Sequence, residues 1–324
     1  MPEATVVAEP FHGWTDTHRI GNDGIEIRVV ADVGPRIVEC RRPGGANLFH
    51  LRASELGGRD EREFRFRGGW RLWTAPERRA TTYALDNTRC AVARPDSLTL
   101  EVEGPPQPEA GVRKSLRVTV DPERPRVRIE SHIRSVGERP VLLAPWTLAM
   151  LRPGGRAFLP QDVGPPEAFD DVRRLILWSY ARIEDPRYHV GDRLLEIDSG
   201  AVVRNGARVW LAPQRSSDES KVGVDSCAGW AAYLLDGTLF LSRAAVDRGP
   251  RADAGATLEV YSCRDFIELE HLGVLQSLAA GASATLREDW WLFADVTLPP
   301  AVAGSDVVRD ALRPYVDLVR AAPL

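Results

Sequence analysis

The chain is 324 residues long, 44% hydrophobic and 27% charged, with a formal net charge of −4. That apolar content excludes a disordered chain, which lacks the burial to offset its ordering entropy. The 42 basic residues are almost all arginine and alternate with the 46 acidic ones, as in DEREFRFR, so no basic stripe for nucleic acid forms.

The opening MPEATVVAEPFHGW has neither a basic n-region nor a long apolar stretch, which predicts no secretory signal and a cytoplasmic location. Period-two alternation predicts strands at IEIRVV (25–30), RIVECR (36–41), SLTLEVEG (97–104), SLRVTVD (115–121) and RVRIESHIR (126–134). GPPQPEAG (104–111) reads as a loop. The longest apolar run, Val141 to Leu151, is shorter than the roughly 20 residues of a spanning helix, so no membrane partner is expected. Pro145 inside it predicts a bulge or an edge. Alternation returns at ARVWLA (207–212), GWAAYLL (229–235), TLFLSRA (238–244), TLEVYSC (257–263), FIELEHL (266–272) and TLREDWWLF (285–293). So many short strands between turn signals predict one all-β unit over 1–324, a sandwich or barrel. Only the C-terminus reads as helical, with Val307, Val308, Ala311, Leu312, Val316 and Val319 at helical spacing, predicting a short helix over about 305–320. Ser305 is its expected N-cap, and Pro314 is expected to kink or split it. Cys40, Cys90, Cys227 and Cys263 lie far apart, form no CxxC, and are expected to be free, mostly buried and without a metal.

Four segments carry candidate chemistry. FRFRGGWRLWTAPE (64–77) sets Arg67, Trp70, Arg71, Trp73 and Glu77 around two glycines that permit a tight turn or a close backbone approach. Tryptophan offers a flat face to a sugar ring, and arginine's planar fork receives hydroxyl pairs or anions. The competing account is a bulged strand with core tryptophans and an Arg71–Glu77 ion pair. Trp146, behind Pro145, is open to the same two accounts, re-aimed at a site or packed in the core. In FIELEHLG (266–273), Glu268 and Glu270 share a strand face. Adjacent carboxylates repel and raise one pKa, which is how a general base is tuned, although a solvated acidic face looks the same. Lys221 is one of two lysines and is a candidate acid or anion binder, against an ordinary surface role. The chain has no GxGxxG, GxxxxGK[ST], GxSxG or HExxH, which argues against nucleotide-driven and serine-hydrolase chemistry.

RGGWRLWTAPE, APWTLAMLRPGG, LILWSYARIEDPR (175–187), KVG (221–223) and FIELEHLG…LAAGASATLREDWWL together resemble the DUF4380 family of the galactose mutarotase-like superfamily, over Phe11 to Phe293. The resemblance implies a galactose mutarotase-like β-supersandwich with a concave carbohydrate-binding cleft. It also implies chemistry like that of aldose 1-epimerases, where a Glu deprotonates the anomeric hydroxyl while a His protonates the ring oxygen. Glu270 is then the base, with Glu268 the alternative register. Arg67 and Arg71 position oxygens, Trp73 and Trp146 stack on the ring, and Trp70 and Glu77 complete the substrate site. Trp70 and Trp146 stand where those epimerases have His, so the acid falls to Lys221, His132 or a water, with His271 also near in sequence. Proton transfer at a hemiacetal needs no cofactor, and none is expected. The expected ligand is a small-molecule carbohydrate or a related metabolite. The reading is an aldose 1-epimerase-like isomerase. The alternatives are a non-catalytic carbohydrate-binding protein, or a diverged lyase, isomerase or cyclase acting on a non-sugar metabolite.

Overall fold

A computed structural model describes residues 5–164, 172–200 and 218–324. Among these, the strands form two wholly antiparallel sheets, of eleven and ten strands. The centre of the first sheet runs Arg36–Arg41, Gly69–Ala75, Val141–Leu151, Ile267–Leu272, Leu258–Ser262 and Ser220–Val224. The second runs from Tyr188–Val190 through Thr238–Ala244, Ser283–Phe293 and Arg126–Ser135 to Ala91–Ala93. Each predicted alternating segment is a strand, except that ARVWLA (207–212) lies outside the described residues.

The alternation does the layering. Val127, Ile129 and Ile133 face the first sheet, whose Leu72, Ile267, Leu269, Val222 and Val260 answer them in one core. The other face of the second sheet carries Phe158, Trp230, Leu239, Leu241 and Trp291, and the helix Ser305–Ala321 covers it with Val308, Leu312, Val316 and Val319. Gly304 is the N-cap in place of the expected Ser305. The helix passes Pro314 unbroken; that position is exposed, so the lost N–H leaves no buried gap. Arg243 Nη1 donates to the carbonyls of Val319 (3.1 Å) and Ala322 (3.0 Å), satisfying the last turn.

Three further expectations are corrected. Pro145 is neither on an edge nor in a bulge. It sits in a central strand opposite Thr74, at the point where pairing to Ile267–Leu272 ends and pairing to Gln276–Leu278 begins, so no ladder bond is lost on that side. Cys227 is exposed and Cys263 half-buried, whereas Cys40 and Cys90 are buried; all four are free. Gly68 and Gly69 do allow close approach, but to the chain itself. A Cβ at Gly68 would lie 2.1 Å from the His50 carbonyl, and one at Gly69 would lie 2.3 Å from that of Ile37.

A polar cluster is sealed between the sheets. His271 Nε2 lies 2.8 Å from Ser242 Oγ and 3.8 Å from Glu288, to which Thr147 Oγ1 donates at 2.7 Å. Burial holds His271 down at about 3 and pushes Glu288 up to about 7, against hydrogen bonds from Thr147, Trp70 and Trp290. Between pH about 3 and about 6.5 the unfolded chain binds a proton that native His271 refuses, so that residue makes stability rise with pH. Between about 4.5 and about 7 native Glu288 keeps a proton that the unfolded chain loses, so it makes stability fall. Where the two windows overlap the slopes oppose. In urea denaturation across this range, Glu288→Gln is expected to unmask the rising limb and His271→Gln the falling one. Parallel pH profiles for the two variants and the parent would contradict this.

Candidate functional site

On the first sheet's outward face, direct cross-strand partners line up in rows. One row is Gly69, Met150, Glu268, Tyr261 and Lys221; the next is Arg71, Leu148, Glu270, Glu259 and Gly223; a third begins with Trp73, Trp146 and Leu272. Diagonal neighbours then join the rows. Arg71 Nη1 donates to Glu268 Oε1 at 2.8 Å. Lys221 Nζ bridges Glu270 Oε2 (2.8 Å) and Glu259 Oε2 (2.7 Å). Trp146 Nε1 donates to the same Glu270 oxygen at 2.8 Å, while Glu270 Oε1 is buried with no hydrogen-bond partner. Gly223 leaves room for Glu259, whose Cγ would lie 3.3 Å from a Cβ there.

These groups floor a cavity of about 430 Å³ lined by Arg71, Trp73, Trp146, Lys221, Glu268 and Glu270, with Glu77 at its rim. Arg71 and Glu270, 199 positions apart in sequence, therefore meet in one site. Loop residues Arg52, Phe66, Tyr83 and Tyr180 wall it. Past Glu77 and Tyr83, which line both spaces, lies an outer groove of about 1160 Å³.

The electrostatics are those of charges removed from water. Burial raises Glu268 above the ordinary carboxylate range; Arg71 opposes that shift and Glu270 adds to it. Burial also holds Glu259 well above that range, against the pull of Lys221. For Lys221 burial works downward, but Glu270 and Glu259 outweigh it and keep the ammonium above the ordinary lysine range. Among the described residues, no group of three or more His, Cys, Asp or Glu side chains is arranged to hold a metal ion.

Of the eleven residues singled out in the sequence, seven converge here and four do not. Trp70 points into the core against Trp290, with ring centroids 6.0 Å apart, because it is one residue out of phase with Arg71 and three with Trp73. Arg67 is fully buried as a loop tie, donating to the Glu55 carbonyl (2.8 Å) and to Asn87 (3.0 Å) and pairing with Glu61. His132 lies on the outward face of the second sheet beside Thr285, and His271 is in the sealed cluster. The anticipated Arg71–Glu77 pair is replaced by Arg71–Glu268, while Glu77 accepts from Tyr83. The tryptophan faces are not bare either. Arg71 lies 4.1 Å over Trp73 and Lys221 lies 4.6 Å over Trp146.

Sequence reasoning missed Glu259, Tyr180, Tyr261 and Arg52. The signal for Glu259 and Tyr261 was available: TLEVYSC puts both on one face, in the strand beside IELEHL. Trp178, whose ring Lys221 also faces at 4.7 Å, stands with Tyr180 in the segment LILWSYARIEDPR.

No protein-family profile matches the chain, and no curated protein does. No helix among the described residues is long and apolar enough to cross a membrane. Among solved structures, a Klebsiella pneumoniae protein assigned as an aldose 1-epimerase is similar at 12% identity and a TM-score of 0.57, over 95% of this chain and 86% of that one. A galactose mutarotase-like protein from Lactobacillus casei is similar at 9% identity and a TM-score of 0.51, over 85% and 99%. A TPR-domain containing protein from Parabacteroides distasonis is similar at 11% identity and a TM-score of 0.57, over 87% of this chain, which spans only 48% of that protein. The fold of this chain is the galactose mutarotase-like β-sandwich with a C-terminal helix.

Proposed function

We propose that the protein is a carbohydrate-active isomerase of the aldose 1-epimerase type, as its resemblance to DUF4380 also suggests, and that it acts on a reducing sugar. The observation that carries this is the state of Glu270. Lys221 and Trp146 fix one carboxylate oxygen, and the other is buried beside the cavity that Glu270 lines, with no hydrogen-bond partner, an acceptor left unused by the protein. Glu270 takes the anomeric hydroxyl proton as the C1–O5 bond opens. Glu268, which burial keeps prone to protonation, supplies a proton to the ring oxygen. The open aldehyde turns about C1–C2 and recloses by the reverse steps. Lys221 is a clamp here and not the acid, because two carboxylates hold its proton too tightly for release near neutrality.

The charged floor also weighs against an apolar metabolite. A non-catalytic carbohydrate-binding protein is the second reading, favoured by the indole of Trp146 standing against Glu270. Exchange-spectroscopy NMR on a panel of aldoses and aldose phosphates separates them. Accelerated exchange between α and β anomers of at least one sugar is expected. Saturable binding without acceleration would establish the binder, and no binding by any sugar would remove both readings.

A further inference from the structure

The groove outside the cavity is larger than the cavity itself, about 1160 Å³ against about 430 Å³. Pockets that enclose one small ligand measure about 300–1,000 Å³, so the inner space suits one ring and the groove is left over. The groove's charged wall is Glu63, Glu77, Glu109 and Asp253 against Arg62 and Arg79. That excess of acid repels a phosphate, a nucleotide or a uronate chain. Its larger rings, Phe64, Tyr83 and Trp178, are half-buried; Phe64 and Tyr83 meet edge to face with centroids 5.4 Å apart, and the six charged side chains that line the same groove make it a poor bed for a lipid tail, which needs an uncharged apolar strip. Flat rings set between carboxylates and guanidinium forks match the C–H faces and hydroxyl edges of neutral sugar rings.

We propose that this groove binds the second and following rings of a neutral oligosaccharide whose reducing-end ring sits in the inner cavity. The inference rests on the isomerase reading for its polarity. Only the reducing-end ring of such a chain carries a free hemiacetal, so that ring must lie beside Glu270. The rest of the chain leaves past Glu77 and Tyr83, the residues shared by both spaces.

The test is calorimetric titration with size-separated partial hydrolysates of amylose, cellulose, xylan and galactan, from mono- to hexasaccharide. For at least one linkage, affinity is expected to rise about tenfold from mono- to trisaccharide, the step that one well-packed ring contact supplies. Ala80→Trp fills the groove from an exposed position and is expected to bring the tri-to-monosaccharide affinity ratio close to one. Glu63→Ala, also exposed, is expected to lower that ratio without adding bulk. Flat affinity with chain length for every linkage overturns the proposal, as does tighter binding of oligogalacturonate than of any neutral chain. If monosaccharides undergo anomer exchange while longer chains gain nothing, the groove assignment alone falls. If no glycan of any length binds, the isomerase reading falls with it.

Discussion

Lys221→Met is expected to destabilise the fold by about 3–5 kcal/mol near neutral pH, the cost of leaving buried charges without their partner. Lys221 is the cation that faces both Glu259 and Glu270, and all three side chains are buried. Burial already holds Glu259 above its unfolded value, and without Lys221 nothing opposes that shift. The deficit is then smallest at acid pH, where native and unfolded states are both protonated, and grows as pH rises through and beyond the ordinary carboxylate range. Urea denaturation at about pH 5 and about pH 8 should show a wider gap from the parent at the higher value. Equal stability at both would mean that the ammonium does not neutralise this cluster.

Glu270→Gln is expected to reduce anomer exchange by about 10²–10⁴-fold, the range for a lost general base, with ligand affinity changed far less. Glutamine keeps the shape and can still accept from Trp146 through its amide oxygen, but it takes no proton. Because it also removes one of the two carboxylates on Lys221, the variant's melting temperature must be measured alongside. A folded variant with unchanged exchange would take the base role from Glu270.

The fold was legible because strand alternation is a local signal, and ten of the predicted alternating segments are strands. The pairing of acids on one face was equally legible, since residues 268 and 270 differ by one period. Gly69–Ala75 was harder. All seven of its residues are buried, so GWRLWTA shows no polar phase to separate Trp70 from Trp73, and one of the two was placed on the wrong side. The partner of Arg71 was illegible for a different reason. Glu77 was near in sequence, whereas Glu268 is 197 positions away and is brought close only by the register of Val141–Leu151. His132 failed on topology: its strand alternates cleanly but belongs to the other sheet.

The strand Ile267–Leu272 gives one parity to each layer: Ile267 and Leu269 join the interior, while Glu268 and Glu270 face the cavity. Scaffold and chemistry therefore drift under separate constraints. Substitutions at 268 and 270 change the cavity wall while leaving the interior packing in place, and those at 267 and 269 remodel the interior while sparing the cavity. Architecture outlasts sequence in such an arrangement, in keeping with a shared fold at 9–12% identity.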